Sequence, residues 1–331
     1  MHTKLDKRVV TQLGSGIRRI AIFGTGLIGA SIGLALRQAG YTGAILGWDV
    51  DKAALAQARA LGAVDPAMAG EADEDPFVCA LAADVIVLAG PVLSIADWLE
   101  QLAPVLSPSQ LVTDVGSVKG FLVERAGLQY NGENQAAWLP GHPMAGKEQS
   151  GAGQAEAGLF LDATWLFTGA TLEAPTTLPD HPYTAEWLHW VGGFGSHAVT
   201  LAPDRHDALC AAVSHLPQMM ASAFAAMLQE QFGRELGGSE SGNPALAGQD
   251  GALGGIGGRA LREMTRLGAS PYSMWRDIAM TNEEAIAAAL LRMEQELAHL
   301  RENLRTPELR EIFTQANAFR AELVAGDGKA Q

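Results

Sequence analysis

Cysteine, positive charge and long apolar runs are all scarce in this sequence, and each shortage removes a class of protein. Only Cys79 and Cys210 occur, far apart and in no C-x-x-C pair. That excludes a disulfide framework and a thiolate zinc cluster, predicts no bound metal, and suits a reducing cytoplasm. Lys and Arg total 23 against 37 Asp and Glu, a net charge of −14. Such a surface repels phosphate backbones and anionic lipid, so neither nucleic acid nor a membrane is an expected partner. A small anionic substrate needs only one local basic group and stays open. The apolar stretch Ile20–Leu36 after Arg18-Arg19 imitates an export leader, but it is short for a membrane span and carries Gly24, Gly26, Gly29 and Gly33.

What is present is a chain of 331 residues, 48% hydrophobic, enough for roughly two domains with buried cores. The first half alternates short apolar runs with helix-like segments, the pattern of a parallel sheet covered by helices. Strands are expected at Ile20–Phe23, Ala44–Trp48, Val85–Leu88 and Leu111–Asp114, with another ending near Pro140 and glycine-interrupted strand material over Trp190–Leu201. Helices are expected at Leu27–Ala39 and, capped by Asp51, at Lys52–Leu61. An acidic loop runs from Asp65 to Asp75. From Pro203 the patterning becomes helical. Asp204–Phe232 reads as one helix kinked at Pro217, Gly237–Gly258 as a loop, and Asn282–Leu304 as a helix opened by a Thr-Asn-Glu-Glu cap. Thr306-Pro307-Glu308 starts the last helix. The expected division is a flexible tail over 1–17, an α/β dinucleotide-binding domain of Rossmann type over 18–202, and an all-helical domain over 203–326.

Gly24-Thr25-Gly26-Leu27-Ile28-Gly29 is a G-x-G-x-x-G sequence between an expected strand and an expected helix. The first glycine makes the tight turn, the second admits a pyrophosphate, and the third lets helix and strand pack closely. Asp49 ends the second strand, twenty positions beyond Gly29, where it can hold ribose hydroxyls. It favours NAD over NADP, because a 2′-phosphate about 4 Å from a carboxylate is repelled by roughly 1–4 kcal/mol.

Ligands of open parallel sheets bind beyond the carboxyl ends of the strands. Three polar clusters are expected there: Gly90-Pro91, Asp114 to Lys119, and Gly141 to Gly151. Within the third, His142 lies between Gly and Pro, and an imidazole is the side chain best suited to take a proton near pH 7. In the helical half Asp207, Ser214 and Gln218 share one helical face, flanked by His206 and His215. Polar groups on so apolar a helix need partners, either in a ligand pocket, across a dimer, or in a buried hydrogen-bond network.

The segments GTGLIGASIGLAL, DVGSVKG, LPGHPMAGKEQSG, HDALCAAVSHLP and MTRLGASPYSMWRDI together closely resemble the prephenate/arogenate dehydrogenase family of tyrosine biosynthesis, in the family's order over residues 18–300. The resemblance implies an NAD-dependent enzyme, prephenate dehydrogenase or alternatively arogenate dehydrogenase or a dual-specificity cyclohexadienyl dehydrogenase. Hydride would leave the hydroxyl-bearing carbon of a cyclohexadiene as CO₂ is lost and the ring becomes a phenol. Carried over, His142 is the base and Ser117 hydrogen-bonds the same hydroxyl and helps place the nicotinamide. Arg266 binds a substrate carboxylate, and Glu148, Ser214, His215 and Trp275 line the pocket. Pro91 joins the glycine motif and Asp49 around the cofactor, and the helical domain makes a homodimer. Glu156 falls where an acid would recognise the ammonium of arogenate. The sequence departs from the family at Gln218, where a His is usual, and at Lys147. With no regulatory or mutase domain expected, the chain reads as monofunctional. Two other readings are weaker. A dinucleotide sensor would not keep His142, Ser117 and Arg266 together, and a β-hydroxyacid dehydrogenase wants a helical Lys where none occurs from 148 to 328.

Overall fold

The computed structural model describes residues 16–66, 75–236 and 252–327. Most of the tail, the middle of the acidic loop and positions 237–251 of the glycine-rich stretch lie outside the described residues. Five parallel strands, β1 (Arg19–Phe23), β2 (Ala44–Trp48), β3 (Val85–Leu88), β4 (Leu111–Asp114) and β5 (Ala137–Leu139), form one sheet in the order β2-β1-β3-β4-β5. Helices α1 (Leu27–Gln38), α2 (Lys52–Ala60), α3 (Pro76–Leu81), α4 (Val92–Leu102) and α5 (Gly120–Ala126) connect them. Both faces of the strands are apolar, so successive residues feed opposite layers. Ile20, Ile22, Val85 and Val87 pack with Ile32 and Leu36 of α1. Ala21, Phe23, Ile86 and Leu88 face Ile95 and Leu99 of α4.

Strand register aligns Phe23 with Leu88 and Leu88 with Asp114, so the carboxyl ends of β1, β3 and β4 lie level. The strand order reverses between β1 and β3, the switch point where open α/β sheets bind ligands. A second sheet, β6 (Gly141–Pro143), β7 (Thr164–Phe167) and β8 (His197–Thr200), follows directly from β5. It puts His142 on a strand paired with Leu166 and not on a loop. A Cβ on Gly141 would lie 2.8 Å from the Asp114 carbonyl oxygen, so glycine lets β6 run against the end of β4.

Two sequence expectations are corrected here. Trp190–Gly193 is not strand but the end of α6 (Pro182–Gly193), leaving only His197–Thr200 extended. Ile17, assigned to the tail, is fully buried, and the Gly16 and Ile17 N–H groups donate to the Glu186 carboxylate at 3.0 and 3.2 Å.

The helical half comprises α7 (Pro203–Cys210), α8 (Leu216–Leu236), α9 (Ala252–Thr265), α10 (Tyr272–Thr281), α11 (Glu283–Glu302) and α12 (Glu308–Asp327). Residues Ala211–His215 join α7 to α8 as a π-helical turn, with the Leu216 N–H bonded to the Ala211 carbonyl five residues back. The expected irregularity at Pro217 therefore takes the form of a widened turn just before it. Part of the expected glycine-rich loop is helical: α9 already includes 252–258 and breaks at Gly258, whose φ is +58°. Pro203–Phe232 has the length and composition of a membrane span; its buried polar residues tie it instead to the sheet domain.

Candidate active site

The glycine motif is explained position by position. Gly24 has φ +90°, and a Cβ there would lie 2.7 Å from the Ala89 carbonyl oxygen of the neighbouring strand end. A Cβ on Gly29 would fall on the Gly24 carbonyl oxygen, so only glycine lets α1 start so close to β1. Gly26 has open space where its Cβ would be, directly before the first turn of α1. That turn has no side-chain cap and no acidic residue, so its N–H groups face outward as an anion site. Asp49 is held in place beside it. Its Oδ2 accepts from the Thr25 N–H at 2.6 Å and the Thr25 hydroxyl at 3.0 Å, and its Oδ1 from the Asp51 N–H at 2.9 Å. Each oxygen keeps acceptor capacity for a diol. Leu27 and Ile28 open α1, and Pro91 starts α4 across the switch point.

Beyond β4 lies a chain of buried polar groups. Lys119 and Asp114, both with fully buried side chains, form an ion pair. Asp114 also accepts from the Gly116 N–H at 2.8 Å and the Trp138 indole N–H at 3.1 Å. The Lys119 and Gly120 N–H groups, at the start of α5, each donate at 2.8 Å to the Asp207 carboxylate of α7. Asp207 in turn meets His206 Nδ1 at 2.7 Å, and His206 Nε2 meets His142 Nδ1 at 2.9 Å.

These contacts fix the tautomers. A carboxylate only accepts, so His206 carries its proton on Nδ1 and presents a lone pair at Nε2. His142 must then donate from Nδ1, which leaves its Nε2 with the free lone pair. Burial pushes His142 well below the ordinary imidazole value, helped by His206 and the Lys119 ammonium, and burial also lowers His206. Both rings are neutral at pH 7. The site thus holds an unprotonated base whose orientation is set by a neighbour and a carboxylate. Cys210 Sγ lies 3.8 Å from His142 Nδ1 and 3.7 Å from His206 Nε2.

The structure sorts the other sequence candidates. Arg266 sits on a 3₁₀ turn after α9 and forms an ion pair with Glu148 from the loop after β6. His215, on the π-helical turn, accepts from Asn282 Nδ2 at 3.3 Å and stacks edge-on against Trp275. Burial lowers His215 to about 4. Its Nε2 and the Trp275 indole N–H are buried with no hydrogen-bond partner among the described residues. Ser117 is half-buried on the loop between β4 and α5, and Ser214 is half-buried on the π-helical turn. Glu156 is not a free acid: Lys147 Nζ lies 3.1 Å from its carboxylate and also donates to the Gln154 carbonyl.

The expected shared face of Asp207, Ser214 and Gln218 does not survive the π-helical turn. Asp207 points to α5, whereas Gln218 donates to the Leu267 carbonyl at 2.8 Å and accepts from the Ser270 hydroxyl, bracing the turn that carries Arg266. Asn282 precedes α11 but makes no side-chain cap; it donates to the Asp207 carbonyl and His215 instead. Sequence reasoning noticed His206 and Asp207 but missed their link to His142, for which the adjacent His-Asp pair was the available signal.

The fold and this cradle define the class: a dinucleotide-binding protein of the oxidoreductase type. The family model described as the nucleotide-binding domain of prephenate dehydrogenase matches residues 32–178, and that of the dimerization domain of prephenate dehydrogenase matches 202–315. A prephenate dehydrogenase of Bacillus subtilis is 29% identical over 81% of this chain, which spans 65% of that protein's length. A cyclohexadienyl dehydrogenase of Zymomonas mobilis is 28% identical, covering 86% of this chain and 87% of its own. The crystal structure of prephenate dehydrogenase from A. aeolicus with hydroxyphenyl propionate and NAD+ has a TM-score of 0.75 at 27% identity, covering 92% of this chain and 98% of its own. The chain belongs to the prephenate dehydrogenase family.

Proposed function

We propose that this chain oxidatively decarboxylates prephenate with NAD. The observation that carries the reading is the Asp207–His206–His142 chain, which leaves one buried, neutral imidazole nitrogen free to take a proton. The open space at Gly26, the uncapped N-terminus of α1 and the oriented Asp49 fit a dinucleotide whose ribose lacks a 2′-phosphate. NAD bound there supplies the acceptor for the hydride from the hydroxyl-bearing carbon.

His142 Nε2 accepts the proton of the 4-hydroxyl, a role worth roughly 10²–10⁴ in rate. Ser117 donates to the same oxygen and keeps it in line. Arg266 binds a substrate carboxylate through its planar fork, exchanging its contact with Glu148 for the ligand. The orphaned His215 and Trp275 N–H groups suit carbonyl or carboxylate oxygens of the substrate. Because Lys147 already neutralises Glu156, the side-chain end offers little to an ammonium, which favours the keto acid prephenate over arogenate.

Assembly as a homodimer is supported by Leu291, Leu297, Phe313, Phe319 and Leu323, which are exposed along α11 and α12. The buried free thiols fit a cytoplasmic location. Domain limits of 18–202 and 203–326 are consistent with α7 beginning at Pro203. The test is NADH or NADPH formation with prephenate and with arogenate, each with both cofactors. Prephenate with NAD is expected to be the fastest pair. Tight NAD binding with no turnover of either acid would make the chain a sensor, and faster turnover of arogenate would reverse the substrate.

A further inference from the structure

His142, His206 and Cys210 form a cluster that the proposed reaction does not wholly use. The base is His142 Nε2; the three atoms facing one another are His142 Nδ1, His206 Nε2 and Cys210 Sγ, all within 4.8 Å and all on buried residues. Their separations are 2.9, 3.7 and 3.8 Å. Zinc takes nitrogen at about 2.0–2.1 Å and sulfur at about 2.3 Å, so one face of a tetrahedral site has N–S edges of about 3.6 Å and an N–N edge of about 3.3 Å. The sulfur edges therefore already match, and the two rings need part by only a few tenths of an ångström.

The surroundings suit a metal in a second way. A ligating imidazole ordinarily gives its other N–H to a carboxylate, and His206 already does so to Asp207 at 2.7 Å. The groups that face the cluster carry one net negative charge before metal binds: Lys119 is paired with Asp114, and Asp207 is the additional anion. Ionising the thiol adds a second negative charge. A divalent ion bound there brings the net charge of these groups to zero.

We propose that His142, His206 and Cys210 form an inhibitory site for a borderline-soft divalent ion such as zinc. The inhibition follows from proton bookkeeping on one ring. Neutral His142 carries one proton, on Nδ1. When the metal takes the Nδ1 lone pair, that proton must sit on Nε2, and the nitrogen that accepts the substrate proton becomes a donor. His206 already offers its lone pair at Nε2 and moves no proton. The Cys210 thiol loses its proton to solvent, so one proton is released for each ion bound. The ion thus acts by switching a tautomer, without occupying the substrate's place. This part rests on His142 being the base; the site itself does not.

The test uses the full chain with Co²⁺ and Zn²⁺ as separate probes. One equivalent of Co²⁺ is expected to give a thiolate-to-cobalt charge-transfer band with tetrahedral visible bands. Zn²⁺ is expected to lower kcat while leaving the KM for NAD unchanged, with activity restored by a chelator. Cys210→Ala and Cys210→Ser are expected to keep turnover without metal, to lose the charge-transfer band, and to raise the Zn²⁺ concentration for half-inhibition by about 100-fold or more. A cobalt complex without the thiolate band, or a Cys210→Ala enzyme inhibited as readily as the parent, would overturn the site. A thiolate band with undiminished turnover would uphold the site and remove His142 as the base, so the two failures are distinguishable.

Discussion

The cofactor cradle and the imidazole cluster lie along the same carboxyl edge of the sheet, yet they are made of different material. The cradle is backbone: two glycines where a side-chain atom would strike a carbonyl oxygen, one where it would fill the cleft, and a helix start with free N–H groups. The cluster is side chains from distant segments, held by hydrogen bonds whose direction depends on where protons sit. A backbone site is vulnerable to added atoms and indifferent to pH. A side-chain network is vulnerable to a lost proton carrier or a gained charge.

The largest expected effect separates the two regions. His142→Asn should lower kcat by roughly 10²–10⁴ while a fluorescence titration shows NAD binding unchanged; near-normal turnover would remove the base. Arg266→Ala should raise the KM for prephenate by about 10–100-fold and leave that for NAD alone, as befits loss of a charged hydrogen bond. Within the cradle, Gly29→Ala should cost about 3 kcal/mol or more in urea unfolding, because the new atom meets backbone. Gly26→Ala meets nothing, so its unfolding midpoint should hold while the KM for NAD rises about tenfold.

Acid should act on the cluster. His142, His206 and His215 are all held below the ordinary imidazole value, His215 to about 4. Below about pH 6.5 the unfolded chain binds protons that the folded chain refuses. Stability is therefore full above that pH and falls as pH drops from 6.5 toward 4, which urea midpoints at pH 7 and pH 5 should show. The smallest effect belongs to Glu156→Gln. With Lys147 as its partner at the surface, it should shift the ratio of arogenate to prephenate turnover by less than about fivefold. A large selective loss with arogenate would restore Glu156 as the ammonium ligand.

Legibility in the sequence follows the same divide. The glycine motif, the strand-ending Asp49 and the Asp51 cap are local features, and each is found where its chemistry requires. The link from His142 to His206 spans 64 positions and depends on β6, a three-residue strand of Gly, His and Pro that carries no strand pattern. Trp190–Leu201 misleads because α6 ends in two glycines before a short strand exposed at every position. The shared polar face fails because helical arithmetic assumes uniform winding, and the turn at 211–215 is not uniform.

That wide turn works as a spacer that sets the phase between two jobs done by one continuous rod. Upstream of it, His206 and Asp207 look toward the sheet; downstream, Gln218 props the segment bearing Arg266. Rewinding it as ordinary α-helix with every residue kept would swing everything beyond it by about 100°. A helix so regularised could keep the base in position or the guanidinium in position, but not both, so substitutions meant to straighten this helix should spare Ala211–His215.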